Sequence, residues 1–326
     1  MLLEQTCLQQ LLSKKNLLAF SGGVDSTALF FLLLEKDIDF DIAIVDYNLR
    51  EQSKEEVEYA KKLAKKYDKK IFLKEVSLPL SNFEANARKV RYDFFDTIIK
   101  KHSYNNLLTA HQLDDKLEWF FMQFSKGAGV VELLGLQKIE KRDGYKIIRP
   151  LLQTTKDELL NYLHDKNIKY FIDHTNKDTK YKRNHIREKY TKEFLKEYKD
   201  GIKKSFDYLQ NDFHELLNIE LLYQKRELYI VKKQDSNIKN IRAIDKIVKK
   251  LGVLISKKTR DELLKEKEIV LSHKIVVAQT NSKIYIAPFL KTTLPKEFKE
   301  LCRIKKIPPK IRPYIFIHEI NINSIY

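Results

Sequence analysis

The chain has 326 residues, 43% of them hydrophobic, enough for packed cores in two or three domains and too many for wholesale disorder. Lys and Arg number 62 against 45 Asp and Glu, a formal charge of +17 that predicts attraction to a polyanion, although a compositionally Lys-rich surface gives the same balance. Cys7 and Cys302 are the only cysteines, so neither a disulfide framework nor a cysteine-rich zinc site is readable.

Met1 to Leu12 mixes apolar residues with Glu4, Gln5, Gln9 and Gln10, unlike a signal peptide. Asn16 to Phe20 is a short apolar run ending at Ser-Gly-Gly and predicts a buried strand. Asp25 to Glu35, apolar and free of Gly and Pro, predicts a helix. Its run Phe30 to Leu34 is too short to cross a bilayer, and the expectation is a soluble, cytoplasmic protein with no membrane partner. Phe40 to Asp46 predicts a second strand. Lys54 to Tyr67 carries Val57, Ala60, Leu63, Ala64 and Tyr67 at helical spacing. Lys70 to Val76 is a third strand, and Ser81 opens a long helix to about Lys101, with Glu84 placed to close a capping box on Ser81. Asn106 to Ala110 is a fourth strand and His111 to Phe124 a helix. This alternation predicts a parallel sheet flanked by helices, with ligands beyond the carboxyl ends of the strands, at the loops after Phe20, Asp46 and Ala110.

After Pro150 the alternation loosens. Thr155 to Lys166 predicts a helix capped by Thr154 or Thr155, with Asp157 and Glu158 in its first turn. From Lys177 to Lys204 there are eleven Lys or Arg against five Asp or Glu, which reads as a basic helix joining two domains. Beyond Leu221 the signals are short: Glu227 to Lys232, Ile241 to Leu251, Arg260 to Lys265, and a strand pair Lys274 to Gln279 and Lys283 to Ala287 turned at Asn281-Ser282. The division expected is residues 1–195 as a catalytic α/β domain, 196–220 as a basic helical linker and 221–326 as a smaller α+β domain.

The most informative segment is Ser21-Gly22-Gly23-Val24-Asp25-Ser26, where the first strand turns into a helix. Two glycines there let backbone N–H groups converge on phosphate, and the helix dipole adds positive potential. Ser21 and Ser26 supply hydroxyls, and Asp25 is placed to hold Mg²⁺ beside a pyrophosphate. The spacing is neither that of a kinase-type phosphate loop nor that of a dinucleotide-binding turn. A plain glycine turn with a Ser/Asp cap is the structural alternative.

This motif resembles the phosphate loop of the N-type ATP pyrophosphatases, whose fold is adenine nucleotide alpha hydrolase-like. That resemblance implies cleavage of ATP between its α- and β-phosphates and adenylation of a carbonyl-type oxygen. Further motifs follow in order: Asp46-Tyr47-Asn48-Leu49-Arg50, Phe83 to Tyr92, Ala110-His111-Gln112-Leu113-Asp114-Asp115-Lys116-Leu117-Glu118, Gly127-Ala128-Gly129, Arg149-Pro150-Leu151-Leu152, Asp173-His174-Thr175-Asn176 and Arg183-Asn184-His185-Ile186-Arg187. Together they resemble the tRNA(Ile)-lysidine synthase family over roughly residues 15 to 190. The pattern departs at Tyr47, where His is usual, at Lys116, where Gln is usual, and at Trp119, where Thr is usual.

The resemblance implies ATP and Mg²⁺ as cofactors, free L-lysine and a CAU-anticodon tRNA(Ile) as partners, and leaves a homodimer open. Asp114 and Asp115 then bind Mg²⁺, hold a lysine ammonium or take its proton; serving as an acidic first turn is the alternative. His111 contacts phosphate or orients a carboxylate, unless it is a capping or core His. Arg88 and Arg91, one turn apart, suit phosphate or RNA backbone, Arg88 in a catalytic role. Glu118, Arg183, Asn184 and Arg187 are placed with substrate or tRNA, against the alternative of a solvated basic helix. Rival readings are a sulfur-transferring tRNA thiolase, an ammonia-using synthetase of a small substrate, and a non-enzymatic RNA-binding protein. The first needs motif cysteines, the second leaves the charge without purpose, and the third leaves Ser21–Ser26 unexplained.

Overall fold

The computed structural model describes residues 2–48, 51–79, 81–172, 182–216 and 218–325, with the side chains of residues 51 and 216 excepted. Leu49-Arg50 and the motif Asp173-His174-Thr175-Asn176 lie outside the described residues. The chain divides into two compact units, Met1–Leu209 and Gln210–Tyr326.

The first unit is built on a six-stranded sheet. Strands β1 (Asn16–Ala19), β2 (Asp41–Asp46), β3 (Ile71–Glu75), β4 (Asn106–Leu108), β5 (Ile139–Lys141) and β6 (Lys146–Ile148) take the order β3-β2-β1-β4-β6-β5. Every neighbouring pair is parallel except β5 with β6, which is antiparallel at the edge. The helices between strands are α2 (Val24–Leu34), α3 (Glu51–Lys66), α4 (Phe83–His102), α5 (Leu113–Phe124) and the short α6 (Val130–Leu134). Helix α1 (Gln5–Leu11) buries Cys7 and Leu11, so the opening segment is part of the fold. Strands β5 and β6 are only three residues each, too short for periodicity to announce them.

The order of the strands reverses direction between β1 and β4, because β2 follows β1 on one side and β4 lies on the other. The loops after β1 and β4 therefore diverge at the carboxyl edge and leave a crevice there. Two buried asparagines hold the opposite ends of these strands. Asn106 donates to the Asn16 side-chain oxygen (2.8 Å), and Asn16 donates to the carbonyls of Leu11, Lys14 and Asp39. Beneath the crevice Phe30 is fully buried, ringed edge-on by Phe20, Phe31, Phe40 and Tyr67 at 5.1–5.9 Å.

Two helix starts show how local chemistry sets boundaries. Helix α7 (Lys156–Asp165) opens with a capping box in which Thr155, rather than Thr154, accepts from the Glu158 N–H while the Glu158 carboxylate accepts from Thr155. Helix α4 departs from expectation. It begins at Phe83 behind Asn82, whose backbone is left-handed (φ 52°) and whose side chain makes no cap, so Ser81 and Glu84 form no capping box. Asn82 takes the cap position, and Ser81 meets the helix through its carbonyl, which accepts from the Asn86 side chain (3.2 Å).

In the second unit β7 (Leu221–Lys225), β8 (Leu228–Lys232), β9 (Glu268–Leu271), β10 (Ile275–Gln279) and β11 (Lys283–Pro288) form an antiparallel sheet of order β7-β8-β11-β10-β9. The Asn281-Ser282 turn joins β10 to β11, with Gln279 paired to Ile284. Side chains alternate between two cores. One face packs Ile230, Val276 and Tyr285 on Cys302, Ile311 and Tyr314; the other packs Val231, Val277 and Ile286 on Ile244 and Val248 of α10 (Asn237–Lys250). Because both cores are built from residues after Asn218, residues 210–326 expressed alone are expected to unfold cooperatively on heating. A gradual, non-cooperative calorimetric melt of that fragment would contradict this division.

Candidate active site at the carboxyl edge of the sheet

The loop Ser21–Ser26 leaves β1 and enters α2. Gly22 sits at φ 74°, which a side chain adopts only under strain, and a Cβ there would meet the Phe171 ring at 3.3 Å. Its carbonyl accepts from the Phe171 N–H (2.9 Å), so a segment far downstream in the chain braces the loop. Gly23 is the N-cap of α2, extended at φ −73° and ψ 170°, with no side chain over the helix N-terminus. The Ser26 hydroxyl accepts from the Ser21 N–H (3.2 Å), lies 3.0 Å from the Ser21 hydroxyl and donates to the Gly23 carbonyl (3.2 Å). Ser26 thus shapes the loop from inside. Val24 is buried under it.

Asp25 projects from the first turn of α2. Its Oδ1 is buried and has no hydrogen-bond partner among the described residues. Removal from water pushes its carboxyl up to about 7; Asp115 and then Asp114 push the same way, opposed by Lys156 and Arg187. An orphaned carboxylate oxygen amid two more carboxylates suits a hard cation. Among the described residues no three His, Cys, Asp or Glu side chains converge as a ready-made metal site. Mg²⁺, however, is commonly held by one or two carboxylates with substrate phosphates completing its shell, and Asp25 with Asp115 fits that mode.

The loop after β4 delivers the other acidic groups. Gln112 caps α5 by accepting from the Asp114 N–H (2.5 Å), and Asp115 Oδ2 accepts from the Gln112 N–H (3.2 Å). Asp114 Oδ2 accepts from the Lys156 N–H (3.0 Å) at the start of α7. Each carboxylate of the pair therefore serves a helix N-terminus with one oxygen, as the structural alternative anticipated, and both still face the crevice chemistry through their charge. Burial lifts the Asp114 carboxyl to about 6. His111, with Nδ1 2.9 Å from the Thr109 hydroxyl, is driven down to about 4 by burial against the pull of Asp115, and is neutral at pH 7.

Glu118 lies one turn further along α5 and its side chain is 1% exposed. Arg183 of α8 (Lys182–Ile186) donates through Nε to Glu118 (2.6 Å) and through Nη2 to Asp115 (2.5 Å). Arg187, opening a π-helical turn over Arg187–Thr191, donates to both Glu118 oxygens (2.5 and 3.1 Å). Asn184 is buried between them in sequence. Sequence reasoning placed these arginines with the substrate; here they neutralise the carboxylates that form the site. Arg88 stacks its guanidinium on the Tyr92 ring at 4.9 Å and adds positive potential at His111. Arg91 lies at the hydroxyl of Tyr47.

The three departures from the family pattern have packing partners in this chain. The Tyr47 hydroxyl donates to the Ala87 carbonyl (3.0 Å), tying the end of β2 to α4. Lys116 is buried, with Nζ 4.5 Å from the Phe206 ring centroid and its amine pushed down to about 8 by loss of water. Trp119 donates to the Glu132 carbonyl (2.8 Å) and fills the space a Cβ on Gly135 would need. Sequence reasoning missed Thr109, Lys156 and Phe171. Thr109, two residues before His111, was within reach of a local reading; Lys156 and Phe171 arrive through tertiary folding and carry no local signal.

The PP-loop domain family matches residues 3–194. The tRNA(Ile)-lysidine synthases of Campylobacter jejuni and Wolinella succinogenes are each 44% identical to this chain, covering 95% and 96% of it and the same shares of themselves. That of Helicobacter pylori is 40% identical over 96% of this chain and 92% of its own. The chain belongs to the tRNA(Ile)-lysidine synthase family. It is an ATP-using enzyme of tRNA modification. Among solved structures the U34-tRNA thiolase of Methanococcus maripaludis superposes with a TM-score of 0.51 at 18% identity, over 66% of this chain and 80% of that one, a likeness of fold. No helix among the described residues is long and apolar enough to cross a membrane.

Asp25 gives this lysidine synthase relative a testable electrostatic signature. Its folded-state pKa lies above the ordinary value of about 3.9, so the folded protein binds this proton more tightly than the unfolded chain. The stability it contributes is complete below pH ~4 and is lost as pH rises through about 7. Asp25→Asn is therefore expected to raise the melting temperature of the ligand-free protein by several degrees at pH 8, and hardly at all at pH 4. An increment that does not grow with pH would show that Asp25 is not held in this environment.

Proposed function

We propose that the enzyme joins free L-lysine to C2 of the wobble cytidine of CAU-anticodon tRNA(Ile), giving lysidine, AMP and pyrophosphate and changing codon reading from AUG to AUA. The observation that carries this reading is the acidic crevice beside the phosphate loop: Asp25, Asp114, Asp115 and Glu118 gathered around two arginines. Phosphate transfer alone calls for positive charge. A cationic second substrate accounts for the surplus of carboxylates, and the names of the relatives supply lysine as that substrate.

The atoms balance in two steps. The cytidine C2 oxygen attacks the α-phosphorus of ATP and pyrophosphate leaves. The lysine ε-amine then attacks C2, and AMP departs with the former C2 oxygen. The Gly22–Ser26 backbone and the α2 N-terminus hold the phosphates. Asp25 with Asp115 would hold Mg²⁺, which would supply positive charge beside the pyrophosphate. Asp114 or Asp115 binds the lysine ammonium and accepts its proton. A free ε-ammonium titrates near 10.4, so it attacks only after deprotonation, and the Asp114 carboxyl, held up to about 6 by burial, is better matched to that transfer than an ordinary one. Neutral His111 and Arg88 suit the phosphate side.

A sulfur-transfer reading lacks a thiolate. Cys7 and Cys302 are both buried, and burial pushes the Cys7 thiol up to about 12.

Incubated with ATP, Mg²⁺, lysine and CAU tRNA(Ile), the protein is expected to release AMP and form lysidine, each requiring both lysine and tRNA. Formation of ADP, or a product that requires a sulfur donor, would overturn the reading. Asp25→Ala is expected to abolish AMP formation while filter binding retains the tRNA; loss of both together would mean that one site serves both ligands.

A further inference from the structure

Between α5 and the basic segment lies an open groove of about 370 Å³ that the chemistry above does not use. Its walls carry four aromatic rings: Phe121 of α5, Tyr190 of the π-helical turn, and Phe194 and Tyr198 of α9 (Lys192–Leu216). Phe121 lies 5.8 Å from Phe194 and 6.4 Å from Tyr190, and Phe194 lies 5.0 Å from Tyr198. Aromatic residues on an amphipathic helix ordinarily turn inward. These do not: Tyr190 is 47% exposed, Phe194 42% and Tyr198 53%. Glu193, Glu197 and Lys189 complete the lining.

Two backbone irregularities bracket the groove. The π-helical turn Arg187–Thr191 carries Tyr190, and Tyr198 leaves helical geometry at φ −122° and ψ 19°, kinking α9. Inserted π turns recur at functional sites, where they re-aim side chains. The groove adjoins the acidic crevice along the same two elements. Phe121 follows Glu118 by three residues on α5, and Tyr190 follows Arg187 by three, while Glu118 and Arg187 are bound to each other. One helical turn rises ~5.4 Å, a distance on the scale of a stacked strand's rise of about 3.4 Å per nucleotide.

We propose that this groove is a stacking site for the unpaired base beside the reacting cytidine, which in a CAU anticodon is an adenine. The proposal rests on the reading that the substrate is a single-stranded loop of RNA entering the crevice. Flat rings suit the face of any base. Carboxylates repel phosphate but accept from exocyclic amino groups, so Glu193 and Glu197 favour an amino-bearing base over a backbone contact. Lys189, which lies against Tyr190, meets the adjoining phosphate. A protein partner would need a broad apolar surface, and the charged residues interleaved here break that surface up.

The test uses the full-length protein and a CAU anticodon stem–loop with 2-aminopurine in place of that adenine. The wild type is expected to quench the fluorophore on binding. The double substitution Tyr190→Ala with Phe194→Ala is expected to abolish the quenching and raise KM for tRNA roughly ten-fold or more, with ATP binding unchanged. Tyr190→Phe is expected to restore quenching because it keeps the ring. Should the double variant fail to fold, Tyr190→Ala alone provides the same comparison. Unchanged quenching and KM in the variants, or no quenching by the wild type, would overturn the proposal. So would variants that lose self-association in sedimentation while binding RNA normally, which would mark the groove as a protein interface. Quenching that depends on Tyr190 and Phe194 in a protein that makes no lysidine would uphold the groove and count against lysine alone.

Discussion

A carboxylate withdrawn from water must be met by positive charge or be protonated, and Glu118 is met by two guanidiniums. Much of the site follows from that contact. Glu118 sits in the middle of α5, whose first turn carries Asp114 and Asp115; Arg183 and Arg187 belong to the segment that follows residues 173–181. By binding Glu118 from both sides, the arginines anchor α8 and the π-helical turn against α5. Arg183 reaches on to Asp115 and fixes it beside the phosphate loop. Removing Arg187 would leave the buried Glu118 carboxylate to Arg183 alone, at a cost below the about 3–5 kcal/mol of a fully buried pair, because Arg183 is 45% exposed and screened by water. The contact is worth more as a positioning device than as net stability, since desolvating three charged groups offsets much of their mutual attraction.

The parts of this molecule that announce themselves in the sequence are those whose chemistry is local. Strand, glycine turn and helix lie contiguously at Asn16–Leu34, so the phosphate loop was legible, as was the alternation that places Asp114 and Asp115 at the same edge of the sheet. What could not be read is where distant segments meet. Nothing near Gly22 points to Phe171, and nothing near Asp114 points to the Lys156 backbone. Arg183 and Arg187 were not legible as partners of Glu118, because a run of basic residues looks the same whether it faces solvent or a buried acid. Ser81 and Glu84 failed for a different reason. The capping-box spacing was present, but a left-handed Asn82 moved the helix start past it.

The site is acidic inside a basic protein, and the two properties address different ligands. The net charge of +17 acts at long range and is distributed over the chain, suited to drawing in a polyanion. Asp25, Asp114, Asp115 and Glu118 act within a few ångströms and outnumber the two arginines that bind them. Burial first, and then the neighbouring carboxylates, raise the Asp25 and Asp114 carboxyls, so holding this charge in the crevice is electrostatically strained. Cations relieve that strain, so the energy of crowding becomes a preference for cationic ligands.

That arrangement also explains why both arginines are tied down. Free guanidiniums beside the loop would be strong phosphate ligands, competing to hold ATP or RNA in unproductive poses. Bound to Glu118 and Asp115, Arg183 and Arg187 each commit Nε and Nη2 to carboxylates and have their charge balanced. On the proposed reading, the RNA is left to be oriented by groups that do not chelate phosphate: aromatic faces and carboxylates that would read a base. In the proposed reaction, which brings a nucleobase oxygen rather than a backbone phosphate up to ATP, that division is an advantage. Long-range attraction would bring the strand in, and short-range contacts would decide which of its atoms reaches the α-phosphorus.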